Sequence, residues 1–175
     1  MQKWSMLVRI EIVIFLFMFC LAGCSSTTRT LVWKSEDITF PEHKTFDILP
    51  VLNATGRVID EIPAFLAVYL VEEIEAKTLR VADSHLTGSE VLTVQSEILV
   101  YDVKLYKSPA PPLKNMVAVC ILRTRLFQNS SENLIAEIIT VNQINVGQGF
   151  FEAKNPEYVL RVSAMTVAEE IAKLM

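Results

Sequence analysis

Cysteine is scarce in this 175-residue chain, with three in all, Cys20, Cys24 and Cys120. Histidine is scarcer: His43 and His85 are the two, each far from any cysteine or acidic cluster with ligand spacing. A zinc site needs three or four convergent ligands, so none is expected. Only five glycines are present, with neither a glycine-rich phosphate cradle nor a Gly-x-Ser-x-Gly nucleophile turn among them. Asp83-Ser84-His85 has the letters of a hydrolase triad, but consecutive side chains diverge, and a solvated loop is the simpler reading. Internal repeats and low-complexity tracts are absent. Positive charge is not in excess either, since the formal net charge is −4, which argues against a nucleic-acid partner.

What is present begins at the front. Lys3 and Arg9 precede an apolar run from Ile12 to Cys20 that gives way to small residues, the three-part order of a secretory signal. Ile12 to Ala22 as a helix reaches roughly 16 Å, against a hydrocarbon core of about 30 Å. That is short for a permanent span, and extending it back through Leu7, Val8 and Ile10 meets Arg9 and Glu11. The next four residues, Leu21-Ala22-Gly23-Cys24, match the lipobox of bacterial lipoprotein signal peptides at every position. The resemblance implies cleavage between Gly23 and Cys24, with lipid on the Cys24 sulfur and an acylated new amino terminus. Each buried CH₂ contributes about 0.8 kcal/mol, and more than one chain is needed for lasting attachment. Three would hold the protein to a bilayer.

Cleavage there removes two cations and one acid, so the remaining chain carries −5. Its composition offers no polybasic grip on anionic lipid. Cys20 leaves with the signal and Cys24 is spent on lipid. Cys120 is then alone and no internal disulfide can form.

Three parts are expected: residues 1–23 as signal peptide, 24–44 as a tether gaining some order near Leu31 to Phe40, and 45–175 as one α+β domain. Within the domain, Thr45 to Leu52 reads as a strand closed by the turn cluster Asn53-Ala54-Thr55-Gly56. Asp60 is placed to cap a helix with Pro63 in its first turn. Ile62, Leu66, Tyr69, Leu70, Ile74 and Lys77 share a face of it. Val91 to Lys107 is a long strand whose alternation slips near Leu99 to Tyr101, the mark of a bulge. Met116 to Gln128 sets Ala118, Cys120, Leu122, Thr124 and Leu126 against Val117, Val119, Ile121, Arg123 and Arg125. A hairpin turn at 129–133 leads into Leu134 to Val146. Asn155-Pro156-Glu157 starts a closing helix with Leu160, Ala164, Val167, Ile171 and Leu174 on one face. The order is β-α-β-β-β-α, with a small extra strand at Leu79 to Ala82. Two helices on a mainly antiparallel sheet make a two-layer sandwich.

The segment from Phe46 to Ala76, a strand running into Asn53-x-Thr55 and an Asp60-led helix, resembles the periplasmic lipoprotein domains grouped around CsgG, the TolB amino-terminal domain and LpoB. The hairpin near Asn129 to Ala136 and the closing helix extend that likeness over most of residues 45–175. It implies a partner-binding or turn role for Asn53, Thr55 and Asp60. The connections at 108–115 and 129–133 are too short for the membrane hairpins of CsgG, so a pore is not expected. The tether is also far shorter than the disordered arm of a wall-synthase activator.

Cys120 is read as a small core residue, because Arg123 and Arg125 fall on the other face and cannot activate it. The sequons at Asn53 and Asn129 are explained by turn chemistry. The proline-rich stretch Pro109 to Leu113 reads as a stiff bend. The function expected is that of a lipid-anchored, non-catalytic periplasmic protein that binds or helps assemble another envelope protein. It needs no cofactor or metal, and its membrane contact is through Cys24. Ser25, rather than Asp, after the lipidated residue implies sorting to the inner leaflet of the outer membrane. A small periplasmic hydrolase or a lipid-transport accessory is the alternative.

Overall fold

The computed structural model describes residues 26–36, 45–77, 80–82, 91–107, 114–128, 133–147 and 155–175. Their strands are β1 (Thr27–Lys34), β2 (Thr45–Ile48), β3 (Leu52–Asn53), β4 (Arg80–Val81), β5 (Val91–Lys107), β6 (Lys114–Gln128) and β7 (Asn133–Gly147). Two helices, α1 (Ile62–Ala76) and α2 (Tyr158–Leu174), complete the set. All seven strands join one sheet in the order β1-β7-β6-β5-β2-β4, with β3 also paired to β5. The long strands are antiparallel to their neighbours, whereas β2 runs parallel to both β5 and β4. The expected α+β class and helix-covered, mainly antiparallel sheet are what is found.

The front differs from the expected order. Residues 27–34, read as part of a tether, form an edge strand paired residue for residue with β7, from Thr27↔Gln143 to Lys34↔Ala136. The sequence TTRTLVWK carries the β-branched and aromatic residues that suit a strand, but both of its faces are largely exposed. No alternation marks it as buried; its place comes from the free backbone edge of β7. The strand expected over Thr45 to Leu52 is split into β2 and β3. Pro50 lies between them, and it lacks the N–H a continuous ladder needs. The short strand expected near Leu79 to Ala82 is β4.

The slip in β5 is a register shift between Ile98 and Val100 when paired to β6. One extra residue reverses which side chains face which layer. Before it, Leu92, Val94, Ser96 and Ile98 lie under the helices and are buried; after it, Val100 pairs with Ile121 and Asp102 with Val119 on the other face. On β6, Ala118, Cys120, Leu122, Thr124 and Leu126 are fully buried, and the residues between them are half-buried. Helix α1 closes the core with Leu66, Leu70 and Ile74, and α2 with Leu160, Ala164, Val167 and Ile171.

Both helix starts depart from expectation. The cap position of α1 is Glu61, without a side-chain cap bond, so Asp60 is not the cap. Asp60 instead takes φ +29°, and its chain turns there before Ile62 N–H donates to Ile59 O at 2.9 Å. Pro63 needs no partner at that position, which removes part of the demand for a cap. Helix α2 begins at Tyr158, and Asn155 acts one step earlier, its Oδ1 accepting the Glu157 N–H at 3.1 Å.

Candidate interaction surface

The Asn53–Arg57 turn closes on itself. Asn53 Oδ1 accepts from Thr55 N–H at 3.0 Å and Thr55 Oγ1–H at 2.7 Å, while Asn53 Nδ2 donates to Arg57 O at 2.7 Å. Arg57 N–H in turn donates to Thr55 Oγ1 at 3.1 Å. Gly56 supplies the φ of +71° that the tight bend requires. The structure therefore brings Asn53 and Thr55 together and uses their polar atoms within the loop. Asp60 stands apart, beyond the bend.

Beside this turn is a shallow pocket of about 120 Å³ lined by Thr55, Arg57, Leu99, Val100, Tyr101 and Asp102. Asp102 sits between two cations, with Lys104 Nζ at 3.0 Å and Arg57 Nη1 at 3.9 Å. The Lys104 hydrogen bond holds its carboxyl below the usual range, against a smaller opposing effect of desolvation. A second hollow of about 260 Å³ lies among Tyr69, Asn155, Glu157, Tyr158 and Arg161. Arg161 spans α1 from there, with Nε donating to Glu73 Oε1 at 3.3 Å and its guanidinium 6.0 Å from the Tyr69 ring centre. Small-molecule sites usually enclose about 300–1,000 Å³, so neither hollow has that size.

On the sheet face away from the helices, charges from three strands converge. Glu97 of β5 accepts from Arg123 of β6, whose Nε lies at 3.1 Å and whose Nη2 approaches closer still. It also meets Arg125 Nη1 at 3.4 Å, and Arg125 Nε donates to Glu137 Oε2 on β7 at 2.9 Å. Glu97 raises the Arg123 pKa above its usual value, chiefly through that hydrogen bond. Around this ladder the row Val141–Ile121–Val100 is apolar and half-exposed. Leu31 and Trp33 extend it at the β1 edge, at 70% and 52% exposure. Their register positions opposite Ile139 and Glu137 put them on this same face.

Beneath the helices the one described cysteine is buried. Burial pushes the Cys120 thiol up to about 11, while a hydrogen bond with Ser163 pulls the other way. A thiol so held is almost wholly protonated at neutral pH. Asn142 Nδ2 donates to Ser163 Oγ at 3.0 Å, and Ser163 Oγ–H donates to Val159 O at 2.8 Å, tying α2 to β7. Among the described residues no group of three or more His, Cys, Asp and Glu side chains gathers as a metal site would require, and no helix is long and apolar enough to cross a membrane.

Gly23 and Cys24, His43, His85 with Asp83-Ser84, and Pro109 to Leu113 lie outside the described residues. The sequence reading missed β1 and the Glu97–Arg123–Arg125–Glu137 ladder. Arg123 and Arg125 two apart on an otherwise apolar strand were a signal for outward charge, but their acidic partners come from strands 26 and 12 residues away.

The sheet and helix arrangement defines a fold class before any relative does. A single-substitution PelC dodecamer from Paraburkholderia phytofirmans has a similar fold, at TM-score 0.50 and 11% identity, covering 86% of this chain and 97% of that one. A DUF4136 family protein from Bacteroides thetaiotaomicron matches at 0.47 and 12%, over 84% and 96% of the two chains. Lipoprotein GNA1162 from Neisseria meningitidis matches at 0.46 and 10%, over 74% and 99%. At such identities the likeness is one of fold alone. No protein-family model and no curated protein matches the chain.

Proposed function

We propose that this protein is a lipid-anchored lipoprotein of the bacterial envelope, and that its domain acts by binding and assembly rather than by catalysis. The observation that carries the reading is Leu21-Ala22-Gly23-Cys24 at the end of an eleven-residue apolar stretch behind two cations. The Cys24 sulfur and new amino terminus carry the lipid. Ser25 directs the protein to the inner leaflet of the outer membrane. The resemblance of the Asn53-x-Thr55 turn and its flanking elements to the CsgG, TolB and LpoB group belongs to this proposal. One support is that the turn follows β3 and leads into α1 as that pattern requires; a departure is that Asp60 does not cap the helix.

The binding role is supported by the mixed charged and apolar sheet face, where Leu31 and Trp33 are exposed beside the Glu97–Arg123–Arg125–Glu137 ladder. That the fold is shared with a protein that forms a dodecamer makes self-association a natural form for the assembly. Metabolic labelling with a clickable palmitate is the test. The wild-type chain should take up label, shorten by its signal and sediment with membranes, and Cys24→Ala should lose label and membrane association together. A mature protein without acyl mass on Cys24 ends the proposal. Cross-linking in intact cells then identifies what the domain holds, with a hydrolase or lipid-carrier role favoured if small molecules rather than proteins are captured.

A further inference from the structure

The position of β1 fixes how far the body can stand from its anchor. Thr27 is three residues after Cys24, and an extended chain spans at most about 3.6 Å per residue, so roughly 11 Å separates them at full stretch. The expected tether of some twenty residues is thus replaced by a leash of two.

The row of the sheet that starts at Thr27 continues through Gln143 and Val119 to Asp102. From that row β5 runs on to Lys107 and β6 back to Lys114, five residues each. At about 3.4 Å per residue the hairpin overhangs the start of β1 by roughly 17 Å. Sheet twist of about 20–25° per strand, over the two steps from β1 to β6, leaves about 12 Å along the β1 direction. Overhang and leash are therefore equal in length. A bilayer that holds Cys24 meets the end of this hairpin at the same level.

The chemistry at that end suits such a surface. Lys107 and Lys114 lie there, set directly opposite each other by the register, together with Lys104, which is paired to Asp102 at 3.0 Å. No acidic residue occurs from position 103 to 131. In sequence the two strand ends, Lys104-Leu105-Tyr106-Lys107 and Lys114-Asn115-Met116, mix apolar with basic residues, a composition that suits a headgroup region. The helix layer is net acidic, since Glu72, Glu73 and Glu75 on α1 and Glu169 and Glu170 on α2 outnumber Arg161 and Lys173, which pair with Glu73 and Glu170. An anionic surface attracts the first region and repels the second. The net charge of the chain, from which no polybasic grip on lipid was expected, conceals this division.

We infer that the free end of the β5–β6 hairpin, residues 103–107 and 114–116, lies against the anionic headgroups of the bilayer that holds Cys24, seating the domain upright on the membrane. The inference rests on the lipid anchor proposed above. It places Trp33, six residues along β1 from Thr27, roughly 20 Å farther from the surface.

Trp33 is the one tryptophan left after cleavage, because Trp4 leaves with the signal. The acylated mature protein is placed on vesicles of phosphatidylethanolamine and phosphatidylglycerol with brominated acyl chains. Wild-type emission should be unquenched. The Tyr106→Trp variant should add emission that is quenched and shifted to shorter wavelength. Adding Lys104→Glu, Lys107→Glu and Lys114→Glu should abolish that quenching while the protein still floats with the vesicles. Should this set fail to fold, lysine-to-glutamine changes at the same sites replace it, with the same loss expected. A floating protein whose introduced tryptophan is unquenched, or whose quenching survives removal of the charges, overturns the inference and leaves the anchor standing. A protein that carries no acyl mass and does not float overturns both.

Discussion

The two faces of β6 are built from one alternating sequence and do different work. Toward the helices, Ala118, Cys120, Leu122, Thr124 and Leu126 are sealed from water. Toward the open side, Arg123 and Arg125 bridge carboxylates on the neighbouring strands, flanked by half-exposed Val119 and Ile121. Burial of apolar area holds the first face, while the second depends on charges that remain partly hydrated. Stability should therefore be concentrated on one side of the sheet.

The sharpest way to break that contrast is to truncate adjacent residues. Leu122→Ala should cost about 2–5 kcal/mol in urea unfolding, and Ile121→Ala, on the other face, clearly less. Equal costs would mean the outer face is packed as tightly as the core.

Alkaline pH probes the buried side through Cys120, and through Tyr101, whose pKa burial also raises, with the same sign. Below pH 9 the Cys120 thiol is protonated in both states. Between its ordinary value of 9.0 and its folded value of about 11 the unfolded chain loses the proton first. Stability should therefore fall by about 2–3 kcal/mol across that window. Cys120→Ala should flatten this part of the profile, and a thiol reagent at neutral pH should label only denatured protein.

A smaller effect belongs to the ladder. Glu97→Gln leaves Arg123 and Arg125 facing each other with one carboxylate fewer and should cost about 1–2 kcal/mol, discounted because both guanidinium groups are partly exposed. Salt should shrink the difference, whereas the Leu122→Ala cost should barely change with it. The smallest is expected at the exposed turn. Asn53→Ala removes bonds made within the loop itself and should cost about 1 kcal/mol, and Arg57→Ala less than about 0.5 kcal/mol. A larger loss at Arg57 would reveal a structural role for its contact with Asp102.

The elements that could be read in advance share a property: their pattern is set by burial on one side. The α1 face at Leu66, Leu70 and Ile74, the α2 face from Leu160 to Ile171 and the alternation of β6 all follow from an apolar layer meeting a polar one. Even the bulge at Leu99 was legible, as a break in that alternation. β1 was not, since an edge strand exposed on both faces carries no such signature. Nor were the missing caps, because a short bend can satisfy a helix end through the backbone as well as through Asp60. Of the candidate site residues, Asn53 and Thr55 were legible as a turn because their bonding is local. The ladder was hidden because its four members come from three strands.

By itself the sequence determined the chemistry that is local: a signal-like front ending in Leu21-Ala22-Gly23-Cys24, the turn at Asn53, and which face of each long element is apolar. The tertiary structure alone decided that residues 27–34 join the sheet, that Glu97 stands between two arginines, and that three lysines collect at one end of an acidic chain. Spacing along the chain governs side chains that share an element, whereas strand pairing brings together residues whose separation in sequence carries no information about their distance in space.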